Sequence, residues 1–303
     1  MDEVLPVTPK VAAILIARNQ AEELRRALQA LERSQPRELL EILVVDCASS
    51  DGTAAVTDEF PGVTMQRLPQ DFGATKALNI ATRTARTEFL FLLSPEVEVA
   101  PDAIARLAGK LEGNTDTSGV CPLLVDESGQ AIARTRRFPD AQALAAVQTG
   151  GEIPWTEIPP DTLAAEECIV MYPGREAVMV RKSFITGMNY FDERFGEYWA
   201  DADLAMQVRR ANRKIRLYPG IRATWRRSPT PTMNHAAKND VTQKSDRILG
   251  AATLLGKHKG WLAGFGFRWG AIFKALIHLD FSLFSALMGG RKVGGEASRS
   301  RPT

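Results

Sequence analysis

Two hydrophobic rhythms alternate through the first hundred residues. Residues 11–16, 42–46 and 88–93 are short, nearly unbroken apolar runs, the pattern of strands buried on both faces, and 63–68 read as a further strand. Between them, residues 21–33 carry Leu24, Ala27, Leu28 and Leu31 at helical spacing. Residues 53–60 and 74–86 read as two more helices. The order β-α-β-α-β-α-β predicts an α/β, Rossmann-like fold, a mostly parallel sheet with flanking helices. Pro101 and Asp102 then open another helix, because a first turn needs no proline N–H and favours an acid.

Beyond residue 113 the rhythm changes. Asp126-Glu-Ser-Gly129 separates two short apolar runs and predicts a hairpin. The proline-rich stretch 152–160 reads as a loop, 177–180 as a strand, 203–211 as a helix ending in Arg209 and Arg210, and 215–218 as a strand. Residues 226–240 are polar with two prolines and read as a mobile loop or lid. These elements divide the chain into an α/β domain over 1–240, with halves 11–113 and 114–240, and a C-terminal helical segment over 241–303.

Residues 261–289 concentrate aromatic side chains but are interrupted by Arg268, Lys274, His278 and Asp280. Each charge costs about 2.5–3.5 kcal/mol at mid-bilayer, so a spanning helix is disfavoured. An interfacial amphipathic segment fits, with Trp261 and Trp269 at headgroup level and Arg291, Lys292, Arg299 and Arg301 toward anionic lipid. The alternative is a helical hairpin packed on the α/β domain or on a second subunit.

The bulk numbers narrow the classes. A chain of 303 residues can bury one large core or two smaller ones. A formal net charge of +2 gives no case for a nucleic-acid partner. Cys47, Cys121 and Cys168 are too scattered for a disulfide framework or a zinc site. With no secretory leader pattern at the start, a reducing cytoplasm is expected.

The chemistry clusters after the strands. Asp46 ends the second strand, where open α/β sheets bind ligands, and can accept hydrogen bonds from a nucleobase or ribose; alternatively it caps its own loop. Asp51-Gly52 closes that loop. Asp71-Phe72-Gly73 follows the third strand, with Gly73 allowing close backbone approach and with Lys76 and Asn79 a turn apart on the next helix. Ser94-Pro95-Glu96-Val97-Glu98 follows the fourth, and Phe191-Asp-Glu-Arg-Phe195 precedes Asp201-Ala202-Asp203-Leu204.

In this order the motifs resemble the inverting family 2 glycosyltransferases of the GT-A fold, most closely the rhamnosyltransferase-like branch, over residues 11–230. The resemblance implies transfer of a sugar from a nucleotide-sugar, UDP- or dTDP-linked, to a hydroxyl of a saccharide or lipid-linked acceptor. Such chemistry belongs to cell-surface polysaccharide or glycolipid assembly at the inner face of the membrane. Departure of a diphosphate needs charge neutralisation, and the acceptor hydroxyl needs a carboxylate base. By resemblance Asp201 is that base, and Glu96, with Glu98 as substitute, holds Mg2+ or Mn2+. Asp46, Asp51, Arg18, Asn19, Gly73, Lys76 and Asn79 surround the donor. Asp203 is expected to cap or stabilise its helix end.

Several positions depart from the family pattern. Ser94 and Glu96 stand where Asn and Asp are common, and Ala200 replaces the Glu before the base. Gln207 replaces an Arg, and Trp225 replaces a metal-binding His. Arg226 and Arg227, beside Trp225, are candidates for the diphosphate charge. These losses keep a second reading open, a non-catalytic GT-A homologue acting as a binding or scaffold protein. A nucleotidyltransferase would need a Gly-rich basic loop after the first strand, and Arg18-Asn19-Gln20-Ala21 does not provide one.

Overall fold

Strands β1 (Val11–Ala17), β2 (Leu40–Asp46), β3 (Val63–Arg67) and β4 (Phe89–Leu93) form where the apolar runs place them. The computed structural model describes residues 9–136, 140–149, 151, 155–226 and 241–294. Parallel pairing sets Ile14 beside both Leu43 and Leu92. Side chains alternate between two cores. Ala13, Leu15, Ile42, Val44 and Phe91 enter one, against α1 (Ala21–Glu32) and, further along the sheet, α3 (Ala103–Gly113). Ile14, Leu43, Val45 and Leu92 enter the other, against α2 (Ala74–Thr84). A strand covered on both faces must be apolar at both parities, which is why these runs are unbroken.

The segment expected as a short helix after β2 is a 3-10 helix, Gly52–Glu59. Its buried inner residues Thr53, Val56 and Thr57 are β-branched and fit an α-helix poorly. Strand β5 (Val97–Val99) precedes α3, and β6 (Thr117–Val125) follows it.

The second half continues with β7 (Arg134–Arg136), α4 (Ala141–Gln148), β8 (Trp155–Glu157), α5 (Pro160–Leu163), β9 (Cys168–Val170), β10 (Ala177–Arg181), α6 (Lys182–Gly187), α7 (Ala200–Arg210) and β11 (Lys214–Trp225). The main sheet runs β3-β2-β1-β4-β10-β6-β11-β5, with β9 on β11. Strand β10 lies antiparallel between β4 and β6, so the sheet is mixed at its centre.

Three expectations change in this half. The stretch read as a loop contains β8, which pairs with β7 and sets Trp155 opposite Arg136. Strand β11 does not stop at Tyr218: its register shifts between Tyr218 and Arg222, across Pro219-Gly220, and pairing then resumes. The bulge absorbs the proline, which has no N–H to give to a ladder. Helix α7 begins at Ala200 rather than Asp203, behind Trp199 in the left-handed region (φ 83°). Of the expected lid, only Arg226 lies within the described residues.

The C-terminal helices are α8 (Val241–Lys259), α9 (Trp261–Ile277) and α10 (Phe281–Gly289). They share a third apolar core with α4 and α7, built around Val147, Trp199, Ala205, Ile248, Leu254 and Phe267. Asp203, expected at a helix cap, is instead fully buried between α7 and α8. It accepts from Lys257 Nζ at 2.8 Å and lies 2.6 Å from His258 Nε2. Burial, ahead of the opposing Asp203 contact, lowers the His258 pKa. Among the described residues no helix is long and apolar enough to cross a membrane.

Helix α8 docks through glycine. A Cβ on Gly250 would sit 2.6 Å from Trp199 Cδ1, and the indole Nε1–H already donates to Arg247 O at 2.8 Å. Gly250→Ala is therefore expected to cost about 1–3 kcal/mol by overpacking. Gly256→Ala, on the same helix with nothing within 4 Å of its added methyl, should be neutral or slightly stabilising. Thermal unfolding of the two variants checks this, and equal midpoints would contradict the docking.

Candidate active site

A cleft of about 400 Å³ opens at the carboxyl ends of β1 and β4 and runs under the second half of the chain. Arg18, just past β1, and Asp71, just before α2, form an ion pair on its wall. Burial raises the Asp71 pKa, partly opposed by the Gly73 N–H and by Arg18. Ser94, Pro95 and Glu96 line the cleft after β4, where the sequence places the metal-binding motif.

Glu96 is buried, and its Oε2 accepts the Trp225 indole N–H at 3.1 Å. The Trp that stands in the place of a metal-binding His is thus a hydrogen-bond donor to the same carboxylate. Among the described residues no group of three or more His, Cys, Asp or Glu is arranged to hold a metal. Within the motif Ser94–Glu98, Glu96 is the one carboxylate that lines the cleft. That suffices for an ion of the Mg2+ type, which takes one or two carboxylates and fills its shell with substrate phosphates and water.

Asp201 also lines the cleft, in the first turn of α7. Its Oδ1 accepts the Ala202 N–H at 3.0 Å, and the buried Tyr172 lines the cleft with it. Burial first, and Asp201 second, raise the Tyr172 pKa well above its ordinary value, so the phenol keeps its proton and remains a donor.

The loop before α7 is fixed by backbone contacts. Gly73 has φ 79°, and a Cβ there would lie 2.8 Å from the Gly196 carbonyl carbon. Thr75 N–H and hydroxyl both donate to Gly196 O, at 3.1 and 2.7 Å. The next residue, Glu197, accepts the Ala74 N–H at 3.0 Å and pairs with Arg175. From the far side, Asp246 of α8 accepts the Glu197 N–H at 2.7 Å.

Other residues expected around the donor lie off the cleft wall. Asp46 is fully buried and accepts from the Ser49 N–H at 3.3 Å and from its hydroxyl, so it caps its loop. Asp51 accepts the Thr53 N–H at 2.9 Å and starts the 3-10 helix. Asn19 ties two loops together, donating its N–H to Ser49 and accepting that of Ser50. Asn79 does not share an open face with Lys76. It is buried, donating to Phe191 O at 2.8 Å and accepting the Phe191 N–H at 3.0 Å. Lys76 sits over the Phe72 ring, 4.0 Å from its centroid.

Glu98 does not turn the same way as Glu96, because Glu96 lies in the turn before β5. Glu98 faces Arg226, at 2.6 Å, and Arg26, at 3.7 Å. Arg226 also pairs with Glu127 at 2.9 Å, so its charge is held away from the cleft. Arg227 lies outside the described residues.

Apart from Arg18, the cations in the cleft are ones that sequence reasoning missed. Arg134 and Arg136 lie 4.8 and 4.2 Å from the centroid of the Trp155 ring, with Trp225 beyond it (centroids 6.1 Å apart). Arg136 pairs with Glu176 at 2.6 Å. Burial favours the neutral form of Arg136, but Glu176 outweighs it and raises the pKa. Arg175 and Arg247 complete the set. The alternation Arg134-Thr135-Arg136 was the available signal: period two places both cations on one face of a strand. Among the described residues, five arginines (18, 134, 136, 175, 247) and five carboxylates (71, 96, 176, 197, 201) line the cleft, so that part of its wall is formally neutral.

With this geometry in view, the comparisons assign the class. The family model Glycosyl transferase family 2 matches residues 12–165. The chain belongs to that family and is a glycosyltransferase of the GT-A fold, moving a sugar from a nucleotide-sugar to an acceptor. It is similar to the N-acetylglucosaminyl-diphospho-decaprenol L-rhamnosyltransferase of Mycobacterium tuberculosis, 22% identical over 284 residues, covering 86% of this chain and 87% of the relative. A mannosyltransferase from Pyrobaculum calidifontis, solved with GDP-Man and Mn2+, superposes with a TM-score of 0.55 at 16% identity, over 98% of this chain and 77% of the other. TarS of S. aureus, solved with UDP-GlcNAc, gives 0.57 at 14% identity, over 82% and 67%. These likenesses confirm the GT-A fold read from the sequence.

The Asp246 contact makes a pH prediction. Burial first, then the neighbouring Glu197 and Asp71, push its carboxyl up from 3.8 to about 7, against the Glu197 N–H and Lys292. The folded protein then holds a proton that the unfolded chain releases near pH 4. This stabilisation is complete below pH 4 and is lost as pH rises through about 7. The wild type should lose thermal stability between pH 5 and 8 relative to Asp246→Asn, whose profile should be flatter. Parallel profiles would contradict the assignment.

Proposed function

We propose that this chain is an inverting glycosyltransferase that moves a hexosyl or deoxyhexosyl group from a UDP- or dTDP-sugar to a hydroxyl of a lipid-linked saccharide. The observation that carries the reading is Asp201: a cleft carboxylate at a helix start, in the same cleft as Tyr172 and Glu96. The acceptor hydroxyl attacks the anomeric carbon while Asp201 takes its proton. The bond from that carbon to the diphosphate breaks on the opposite face, which inverts the centre in one displacement and needs no enzyme nucleophile.

The leaving diphosphate brings negative charge into a wall whose described part is formally neutral. Glu96 is the residue that would hold Mg2+ or Mn2+, and that ion would neutralise the charge on the leaving group. Within the protein, Arg18 and the Arg134–Arg136 pair stand nearest in kind to this role, because their guanidinium groups already face the cleft. Arg226 and Lys76 are committed elsewhere. Asp46 would meet a nucleoside only after giving up Ser49.

The acceptor class follows the relative from M. tuberculosis, whose name specifies an N-acetylglucosaminyl-diphospho-decaprenol substrate. By this reading the protein acts in cell-surface polysaccharide or glycolipid assembly, at the inner face of the cell membrane.

Asp201→Asn should reduce transfer by about 10²-fold or more while leaving nucleotide affinity within about twofold, since base catalysis typically contributes that much. Unchanged turnover would remove Asp201 from the mechanism. Tyr172→Phe removes the hydroxyl from the cleft beside Asp201, so kcat should fall with donor KM little changed. Unchanged kcat would mark Tyr172 as structural only.

A further inference from the structure

Helices α9 and α10 turn one apolar face inward and leave another uncovered. Gly264, Phe267, Ala271 and Ala275 face the body of the protein. On the outer side Trp261, Phe265, Trp269 and Phe273 recur every fourth position and are 47–70% exposed. Their rings form a chain, with centroids 6.2 Å apart for Trp261–Phe265 and 5.9 Å for Phe265–Trp269. Leu279 and Phe281, at the turn into α10, are as exposed as any of them. Of the exposed large hydrophobic residues of the described chain, all but Ile169 and Met171 lie between 261 and 288. An apolar surface this concentrated marks a docking site.

The charges around it identify the occupant. From 257 to 292 the chain carries six Lys and Arg against a single acid, Asp280. Lys257 is paired with Asp203, Lys274 donates to Gln148, Arg268 to Leu287 O and Lys292 to Arg194 O, which leaves Lys259 and Arg291 as the exposed cations. Asp280 is engaged locally, accepting the Leu283 N–H at 3.0 Å. Lys259 and Arg291 stand at the two ends of the α9–α10 hairpin. An aromatic face with a basic border complements a bilayer that carries anionic headgroups. Gln243 and Arg247 of α8 and Val293, past the end of α10, line the cleft, so the helices that carry this face pack on an element that borders the active site.

We propose that the outer face of α9 and α10 seats on the surface of an anionic lipid bilayer, with the rings of the stripe in the headgroup region. The seat itself is independent of the catalytic reading. Its use, to bring the cleft to a lipid-linked acceptor, rests on the function proposed above.

The test is sedimentation of the full chain with two kinds of vesicle, phosphatidylcholine alone and phosphatidylcholine with about one-third phosphatidylglycerol. The wild type should sediment with the anionic vesicles, less with the neutral ones, and less in high salt. Phe265→Ser with Phe273→Ser should weaken anionic-vesicle partition by about tenfold or more. UDP affinity and thermal midpoint should be unchanged in that variant, since both side chains are exposed. Asp201→Asn should sediment like the wild type, which separates failure of the catalytic reading from failure of the seat. Equal partition of the double variant and the wild type would overturn the proposal. So would a wild type that ignores both vesicles, including one that forms a dimer abolished by the double substitution, which would assign the face to a second copy.

Discussion

The active-site loop depends on one close approach. At Gly196 three chain segments meet with no room for a side chain. The turn at Gly73 presses on it from one side, and Asp246 of α8 stands against the other, where it receives the Glu197 N–H at 2.7 Å. From there the chain needs only a few residues to reach Trp199, whose left-handed backbone turns it into α7 and delivers Asp201 to the cleft. The first-half loop and a C-terminal helix therefore jointly fix the position of Asp201, the proposed base. A helix that sequence alone would treat as an appendage is part of the frame of the catalytic site.

The second constraint is electrical. On the described cleft wall Arg18, Arg136 and Arg175 each have a carboxylate opposite, so a diphosphate would have to compete with an existing partner for any of the three. The protein has three ways to meet its charge: a cation at Glu96, exchange of Arg18 or Arg136 from its present partner to a phosphate, or both. Trp225 at the Glu96 carboxylate narrows the first to an ion that draws most of its ligands from substrate and water. The departures from the family pattern at Ser94, Ala200 and Trp225 thus leave the cleft in place, with Glu96 as the proposed metal ligand.

The first half of the fold was legible because buried parallel strands must be apolar at both parities, and the runs at β1, β2 and β4 have no other reading. The strand-end carboxylates and Asp201 were legible as motifs. What sequence did not show was where individual side chains turn. Glu96 and Glu98 differ by two positions, yet one faces the cleft and the other Arg226, because a turn rather than a strand separates them. Asn79 and Lys76 share a helix, but Asn79 is drawn inward by the backbone of Phe191, more than a hundred residues away. The cleft arginines other than Arg18 come from segments without a motif, and only the pairing of β7 with β8 brings Arg134 and Arg136 beside Trp155. Long-range pairing of this kind leaves little local trace.

The proposed mechanism requires the cleft to bind a nucleotide diphosphate whose charge is met partly by an ion on Glu96. Calorimetric titration of UDP, dTDP and GDP, each with and without Mn2+, tests it most directly. The account predicts that UDP or dTDP binds, that Mn2+ tightens the binding by about tenfold or more, and that Glu96→Gln removes the gain from the metal. Binding that ignores Mn2+ would move the charge balance to the cleft arginines alone. Failure of every nucleotide to bind, with or without the ion, would contradict the account.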